Sequence, residues 1–350
     1  MRSSTSSSNT RIPDIPYRIE WCFILLLVFG FIVSSEFLYR YHGHLPSVVD
    51  SNRFWAIHRS DVYSSNGQKR IVIAGASRAQ LGLVPSVIRE SFPHYRIKQL
   101  TIDGTSSFEV VKGLCEDPDF DGIILWSTNA RALSAAQNKE KKDFVYSKFF
   151  QNDFQQISSM ERNLNCYISA FLQNYVVILS PSLTLRKLLG GHLKFKPSYI
   201  SMTFDRYRSA RYFSIMSESQ RNEHRLKRLE IRRKSQLGTI SITKFKDFIE
   251  TDLSRLYGLL HSRGGKLILL RMPTTDEHWT MDEESAPKEL FWDRIFDLSG
   301  IPTIHFRDYP ELMEFDCPDA SHLDWSDAPE FTRRLSQILK VKIEANRSNL

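Results

Sequence analysis

Cysteine is scarce in this sequence of 350 residues, and its placement argues against a metal site built from cysteines and against a fold held together by disulfides. The four cysteines form no CxxC pair and show no metal-ligand spacing; they are Cys22, Cys115, Cys166 and Cys317. Cys22 lies in an apolar run, so at most three cysteines belong to a soluble part, and an odd number argues against a disulfide framework. The sequence still permits a single disulfide bridge.

The sequence also has only a small excess of positive charge, since its formal net charge is +7. A mildly basic chain would suit a polyanionic partner but does not require one. The sequence has no internal repeat and no nucleic-acid motif, so nucleic-acid binding is not expected. His42 and His44 have no carboxylates nearby, so no metal site is predicted, and no cofactor is expected.

One long apolar run is present, at residues 21–35, and residues 36–39 extend it. Fifteen helical residues cover roughly 22 Å, and the extension brings the helix close to the ~30 Å of a bilayer core. We interpret 20–39 as a transmembrane signal anchor behind a disordered cytoplasmic tail at 1–19. The rest of this single-pass protein of the cell membrane is then extracytoplasmic (periplasmic). A cleaved signal peptide or a buried core helix are the alternatives.

Short apolar runs alternate with helical stretches after residue 68, which predicts an α/β domain with a parallel sheet covered by helices. The predicted strands are 70–74, 97–102, 122–126, 266–271 and 303–306. The expected organisation is a stalk, a first domain part, a helical insertion, a second domain part and a tail, at 40–68, 69–130, 131–248, 249–340 and 341–350. We expect the insertion to cap the carboxyl edge of the sheet.

A basic run lies inside the insertion at residues 221–234. It fits a solvated, charge-rich helix, and it also fits an electrostatic platform for an anionic polymer or lipid head groups.

Three residues far apart in the sequence have the chemistry of a nucleophilic site. Ser77 follows the first predicted strand, and Asp319 and His322 form an Asp-x-x-His motif near the C-terminus. In such a site the imidazole takes the proton of the hydroxyl, and the carboxylate orients the imidazole. Taken singly, Ser77 would also suit a helix N-cap, Asp319 a turn and His322 a surface position.

Four sequence blocks together resemble the SGNH (GDSL-like) hydrolase superfamily, in its membrane-anchored bacterial form related to O-acylation of polysaccharides and cell-wall polymers. The blocks are Gly75–Arg78, Ile102–Thr105, Leu125–Ala130 and Asp319–Leu323. The resemblance implies a three-layer α/β/α sheet of the flavodoxin-like type, with Ser77 as nucleophile, His322 as base and Asp319 as its partner. It also implies an oxyanion hole made by the N–H groups of Ser77 and Gly104 and the amide of Asn129. Ser127 and Ala130 depart from the family pattern, which has Gly and Asp there.

The resemblance implies a serine esterase or O-acyltransferase that acts on acyl (acetyl) esters of an envelope polysaccharide or other glycan. Its expected partners are the membrane, the glycan or acyl-ester substrate and a membrane protein that supplies the acyl group. Arg78 would begin the helix after the nucleophile and meet a substrate anion or face solvent, and Asn129 could instead be a helix cap. The alternative function is a catalytically inactive subunit for binding or assembly in an exopolysaccharide or cell-wall system.

Overall fold

A parallel sheet forms the centre of the protein in the computed structural model, which describes residues 18–63, 67–135, 141–156, 159–183, 197–235, 238 and 240–345. The strands are β1 (Lys69–Gly75), β2 (Tyr95–Gln99), β3 (Ile123–Ser127), β4 (Ile200–Met202), β5 (Arg208–Ala210), β6 (Lys266–Arg271) and β7 (Thr303–His305). All five strands predicted from the sequence are present, although β2 begins and ends earlier than expected. Its extension still bonds to β1, because the N–H of Leu100 donates to the carbonyl of Ile73.

The order of the five-stranded sheet is β2-β1-β3-β6-β7, and every neighbouring pair is parallel. When only the five strands of this sheet are numbered along the chain, the order reads 2-1-3-4-5, which is the flavodoxin-like order. The predicted α/β class and parallel sheet are therefore confirmed. The chain leaves β1 in one direction to β2 and returns on the other side to β3. Ligands in such sheets bind outside the carboxyl ends of the strands, at the point where the strand order reverses.

Helices cover both faces of the sheet because successive strand residues point to opposite sides. Val72 and Ile124 pack in one hydrophobic core, and Ile71 and Ile123 pack in the other. The α-helices are Arg18–Tyr41, Asn52–Ser60, Ser77–Gly82, Pro85–Ser91, Phe108–Cys115, Ala130–Ser134, Lys141–Phe149, Met160–Gln173, Tyr212–Ile215, Glu218–Ser235, Ile242–Phe248, Ser254–His261, Asp276–Ser285, Ile295–Ser299, Pro310–Met313 and Ala328–Ala345. The four cysteines are free thiols.

The N-terminal helix, Arg18–Tyr41, contains the apolar run. Ile19–Tyr41 is the one helix of the described chain that is long and apolar enough to cross a membrane, and its most apolar stretch of 18 residues has a mean hydropathy of 2.2. The expected cytoplasmic tail at 1–19 lies almost entirely outside the described residues. At the other end, the expected tail at 341–350 begins inside the last helix, and residues 346–350 lie outside the described part.

The segment expected to be a stalk packs instead against the sheet domain over residues 48–62. The helix Asn52–Ser60 buries Trp55 to 1% exposure, and the indole N–H of Trp55 donates to the carbonyl of Leu100 at 3.1 Å. Burial of a large aromatic ring with a satisfied N–H stabilises this contact and explains why the segment folds back.

The insertion is mainly helical within its described residues, but it also contains an antiparallel hairpin of β4 and β5. Strands of three residues are too short to show a readable alternation, so the sequence did not indicate them. The fully buried Arg206 in the hairpin turn donates to the carbonyls of Gln99 and Thr101 and pairs with Asp50 at 2.8 Å. This network fastens the hairpin to the end of β2.

Candidate active site

The sharp turn after β1 presents Ser77 at the carboxyl edge of the sheet. Gly75 has a φ of +136°, and a Cβ at this position would lie 2.7 Å from the carbonyl oxygen of Ser127 on neighbouring β3. Only glycine permits this backbone and this close approach. Ala76 occupies the N-cap position of the next helix without a side-chain bond, so Ser77 is not the cap and its hydroxyl is left for other partners.

Ser77, His322 and Asp319 form one hydrogen-bonded series. The Oγ of Ser77 lies 2.8 Å from Nε2 of His322, and Nδ1 of His322 lies 2.8 Å from Oδ2 of Asp319. With its Nδ1 proton donated to the carboxylate, the imidazole presents an unprotonated Nε2 to the hydroxyl. This is the geometry that a general base on a serine nucleophile requires.

The carboxylate of Asp319 is held from both of its oxygens. Oδ1 accepts the backbone N–H groups of His322 at 2.8 Å and Ser321 at 3.0 Å, across a turn in which Ala320 has a φ of +65°. Oδ2 also accepts the hydroxyl of Tyr212 at 2.9 Å. Burial alone would raise the pKa of Asp319, but His322, Arg228 and Tyr212 together hold it well below its usual range. Asp319 is therefore ionised at neutral pH.

A cavity of about 290 Å³ opens at Ser77 and His322. Asn129, Ser127 and Thr128 line it from the end of β3, next to the nucleophile turn because β3 pairs with β1. The Oδ1 of Asn129 accepts the N–H of Ala132 at 2.9 Å and caps the helix Ala130–Ser134. This cap leaves the side-chain N–H₂ of Asn129 as the group that can donate to a ligand, so the two roles considered for Asn129 are compatible.

Gly104 does not line this cavity, whereas the two residues after it, Thr105 and Ser106, do. Gly104 has a φ of +76° and forms the turn that brings them there. The loop is then fixed by side chains, since the indole N–H of Trp126 donates to the carbonyl of Ser106 at 2.8 Å. Thr105 and Ser106 are therefore the second-block residues that reach the cavity, and the role of the Gly104 N–H in an oxyanion hole stays a prediction.

Arg78 points inward beside Ser77. Its Nε donates to Oγ of Ser321 at 3.2 Å and its Nη2 donates to Nε2 of His278 at 2.8 Å. Burial and the neighbouring Arg271 lower the pKa of Arg78 to about 9, and burial together with Arg78 lowers the pKa of His278 to about 2. His278 is thus a neutral acceptor, and Arg78 retains its positive charge at pH 7.

The basic helix, Glu218–Ser235, lies across the mouth of the site. Its Arg228 donates through Nε to Oδ2 of Asp319 at 3.4 Å, and its Arg232 pairs with Asp282 at 2.6 Å. Further pairs join this helix to Asp276–Ser285, namely Arg225 with Asp276 and Arg233 with Glu277. Much of its charge is therefore used in docking the helix over the site, which neither interpretation of the basic run anticipated.

Several site residues could not be assigned from the sequence. Tyr212, Arg228, Arg232 and His278 reach the site from the insertion and from the helix after β6, outside the four blocks. For His278 the available signal was its position after the end of a predicted strand, which also fits a solvated loop. For Arg228 and Arg232 it was the density of arginine at 221–234, which does not specify which side of the helix faces Asp319 and His322.

No protein-family model matches this chain, and no curated protein matches it either. The features that characterise the site are its own parts, namely a serine, a histidine and a carboxylate in hydrogen-bonded order at the carboxyl edge of a parallel sheet.

Proposed function

We propose that this protein is a serine-dependent acyl-ester hydrolase or O-acyltransferase of the SGNH type. The observation that carries the proposal is the 2.8 Å contact between Oγ of Ser77 and Nε2 of His322, with Asp319 on the far side of the ring. A distance beyond about 5 Å between these atoms in a rigid site would instead have favoured an inactive subunit. The contact therefore favours the enzyme over the inactive binding or assembly subunit.

In the proposed reaction the Oγ of Ser77 attacks the ester carbonyl while Nε2 of His322 takes the hydroxyl proton. The charge of Asp319 stabilises the imidazolium, and donors at the cavity wall, including the amide of Asn129, stabilise the oxyanion. The C–O bond to the leaving alcohol then breaks, and His322 returns the proton to that alcohol. Water or an acceptor hydroxyl then attacks the acyl carbonyl while His322 takes its proton. The bond to Oγ of Ser77 breaks, and His322 returns the proton to Oγ.

The arginines at the mouth support an acidic glycan as the substrate. Arg78, Arg228 and Arg232 line the cavity, and no carboxylate is among the described residues that line it. Arg228 and Arg232 also pair with the buried Asp319 and Asp282. A lining that contains three arginines and no carboxylate favours a ligand that brings negative charge, such as a uronate or a phosphate-bearing sugar. The volume lies near the lower end of ligand pockets, about 300 Å³, which suits a small acyl group on one sugar.

The proposed location follows from the N-terminal helix. Three arginines precede the apolar run, at positions 2, 11 and 18, and favour a cytoplasmic N-terminus. The catalytic domain would then lie outside the cytoplasm, on a single-pass anchor, where envelope polysaccharides and a membrane protein that supplies acyl groups are accessible.

The test of the nucleophile is fluorophosphonate labelling and p-nitrophenyl acetate turnover of the full chain in detergent. We expect labelling of the wild type, and none of Ser77→Ala or His322→Ala. Ser321→Ala is the matched control, since Ser321 lies in the same loop but its hydroxyl bonds to Arg78 and not to His322. An unlabelled wild type, or equal turnover in all four proteins, would refute the proposal.

The substrate is tested separately with acetylated digalacturonate and the acetyl ester of a neutral disaccharide. Arg232→Gln is expected to raise KM for the acidic ester by about 10- to 100-fold more than for the neutral ester, because a lost charged contact with the substrate is worth about 1.5–3 kcal/mol. Any effect of the lost pair with Asp282 on the docking of the helix is common to both esters. An equal change for both esters would remove the acidic glycan from the proposal without affecting the nucleophile.

A further inference from the structure

The helix Met160–Gln173 turns a row of large apolar side chains outward. Each of these side chains is at least 45% exposed: Met160, Leu164, Tyr167, Ile168, Phe171, Leu172 and, just after the helix, Tyr175. Their spacing of three and four residues places them on one face of a helix. A contiguous apolar patch of this kind on a soluble surface marks a site of interaction.

The other faces of this helix have different surroundings. Ala170 is buried among Val48, Phe54 and Met202, so the inner face belongs to the folded domain. Asn165 and Ser169 are exposed on a third, polar face. A helix with one apolar face and one polar face is suited to the boundary between lipid and water.

The end of this helix is attached to the N-terminal helix at the point where that helix would leave the membrane. The carboxylate of Glu36 accepts the N–H groups of Val177 at 2.9 Å and Ile178 at 3.0 Å. Arg40 donates to the carbonyl of Tyr175 at 2.6 Å and pairs with Glu36 at 2.8 Å. The apolar patch therefore begins beside the membrane-exit end of the anchor.

We propose that the outward face of Met160–Gln173 inserts into the interfacial region of the same bilayer that the N-terminal helix crosses. The helix is about 21 Å long, and its aromatic residues Tyr167, Phe171 and Tyr175 are types enriched at membrane interfaces. The attachment through Glu36 and Arg40 favours this occupant over a second copy of the chain, because it holds the patch next to lipid. The proposal rests on the N-terminal helix spanning the membrane, and it does not depend on the activity of Ser77.

Burial of this helix face in the bilayer also has a consequence for the sheet domain. One spanning helix leaves a domain free to rotate about its axis, whereas a second contact along the surface holds one side of the domain against the lipid. The domain would then present its site in a constant orientation to a membrane-bound partner or a growing polymer.

The test uses the full chain in nanodiscs that hold one copy each. In a Cys22→Ser, Cys166→Ser background, an environment-sensitive nitrobenzoxadiazole probe is attached at Leu164→Cys or, as the matched control, at Asn165→Cys on the polar face. Cys115 and Cys317 are 0% and 2% exposed and are not expected to react. Nitroxide lipids report contact with the bilayer, and iodide reports contact with water.

We expect the probe at Leu164→Cys to show a blue-shifted emission and about twofold or more stronger quenching by nitroxide lipid than the probe at Asn165→Cys, with the opposite order for iodide. Ile168→Cys, one turn further along the same face, should behave as Leu164→Cys does. Equal iodide quenching at both faces would overturn the proposal. Protection of Leu164→Cys from iodide without lipid quenching would also overturn it, since a protein contact would then cover the face.

Discussion

Replacing Asp319 by Asn tests the site most sharply, because the two ends of an amide cannot satisfy the two sets of donors that this carboxylate accepts. Oδ1 faces the backbone N–H groups of Ser321 and His322, and Oδ2 faces Nδ1 of His322 and the hydroxyl of Tyr212. If the amide N–H₂ replaces Oδ2, it donates to Nδ1 of His322 and forces the ring proton onto Nε2. The imidazole can then no longer take a proton from Ser77.

The reverse orientation is also unfavourable. The amide N–H₂ would then face the two backbone N–H groups and leave both unsatisfied in a buried turn, at a cost of about 1–3 kcal/mol each. We therefore expect Asp319→Asn to adopt the first orientation and to lower kcat by about 10³–10⁴, or about 4–5.5 kcal/mol of transition-state stabilisation. KM should change little, since the carboxylate lies behind the imidazole.

The assay is p-nitrophenyl acetate hydrolysis by the full chain in detergent, with thermal unfolding measured on the same samples. Asp324→Asn is the matched control, because Asp324 is fully buried in the same loop and accepts backbone N–H groups of Phe213 and Ser326 rather than the imidazole. It should lose stability but keep kcat within about tenfold. A folded Asp319→Asn protein with more than a tenth of the wild-type kcat would refute the assigned role.

Three further results are expected from the full chain in detergent. Tyr212→Phe should lower the free energy of unfolding by about 1.5–3 kcal/mol and lower kcat with KM unchanged, because a buried hydroxyl bonded to the carboxylate of Asp319 is lost. An unchanged kcat would restrict Tyr212 to a structural role. Burial lowers the pKa of His278 and His305 to about 2, so the unfolded chain binds protons that the native state does not. Stability to urea should therefore fall by about 2 kcal/mol for each histidine between pH 7 and pH 5, and equal stability at both would contradict this. Asp50→Asn should cost about 3–5 kcal/mol in urea unfolding by leaving Arg206 buried without its anion, and a loss below 1 kcal/mol would contradict the fastening of the hairpin.

The sheet could be predicted because its strands are local and strongly patterned. Runs such as Ile71–Ala74 and Leu267–Leu270 are buried on both faces in the structure, and a continuous apolar run bounded by turn residues is typical of a strand in a parallel sheet. The hairpin of β4 and β5 could not be predicted, because its strands are short and because Arg206 in its turn bonds to partners far away in the sequence, namely Gln99, Thr101 and Asp50.

The sequence by itself determined that Ser77, Asn129, Asp319 and His322 would meet at one edge, because residues after parallel strands share that edge. Asp319 and His322 are three residues apart, so one turn suffices to join them. Only the tertiary structure decided that Thr105 and Ser106 line the cavity in place of Gly104 and that Arg228 approaches Asp319. Those contacts depend on where a loop turns and on how a distant helix docks. They could not be predicted from the sequence because long-range packing determines them, whereas sequence patterns report local propensity.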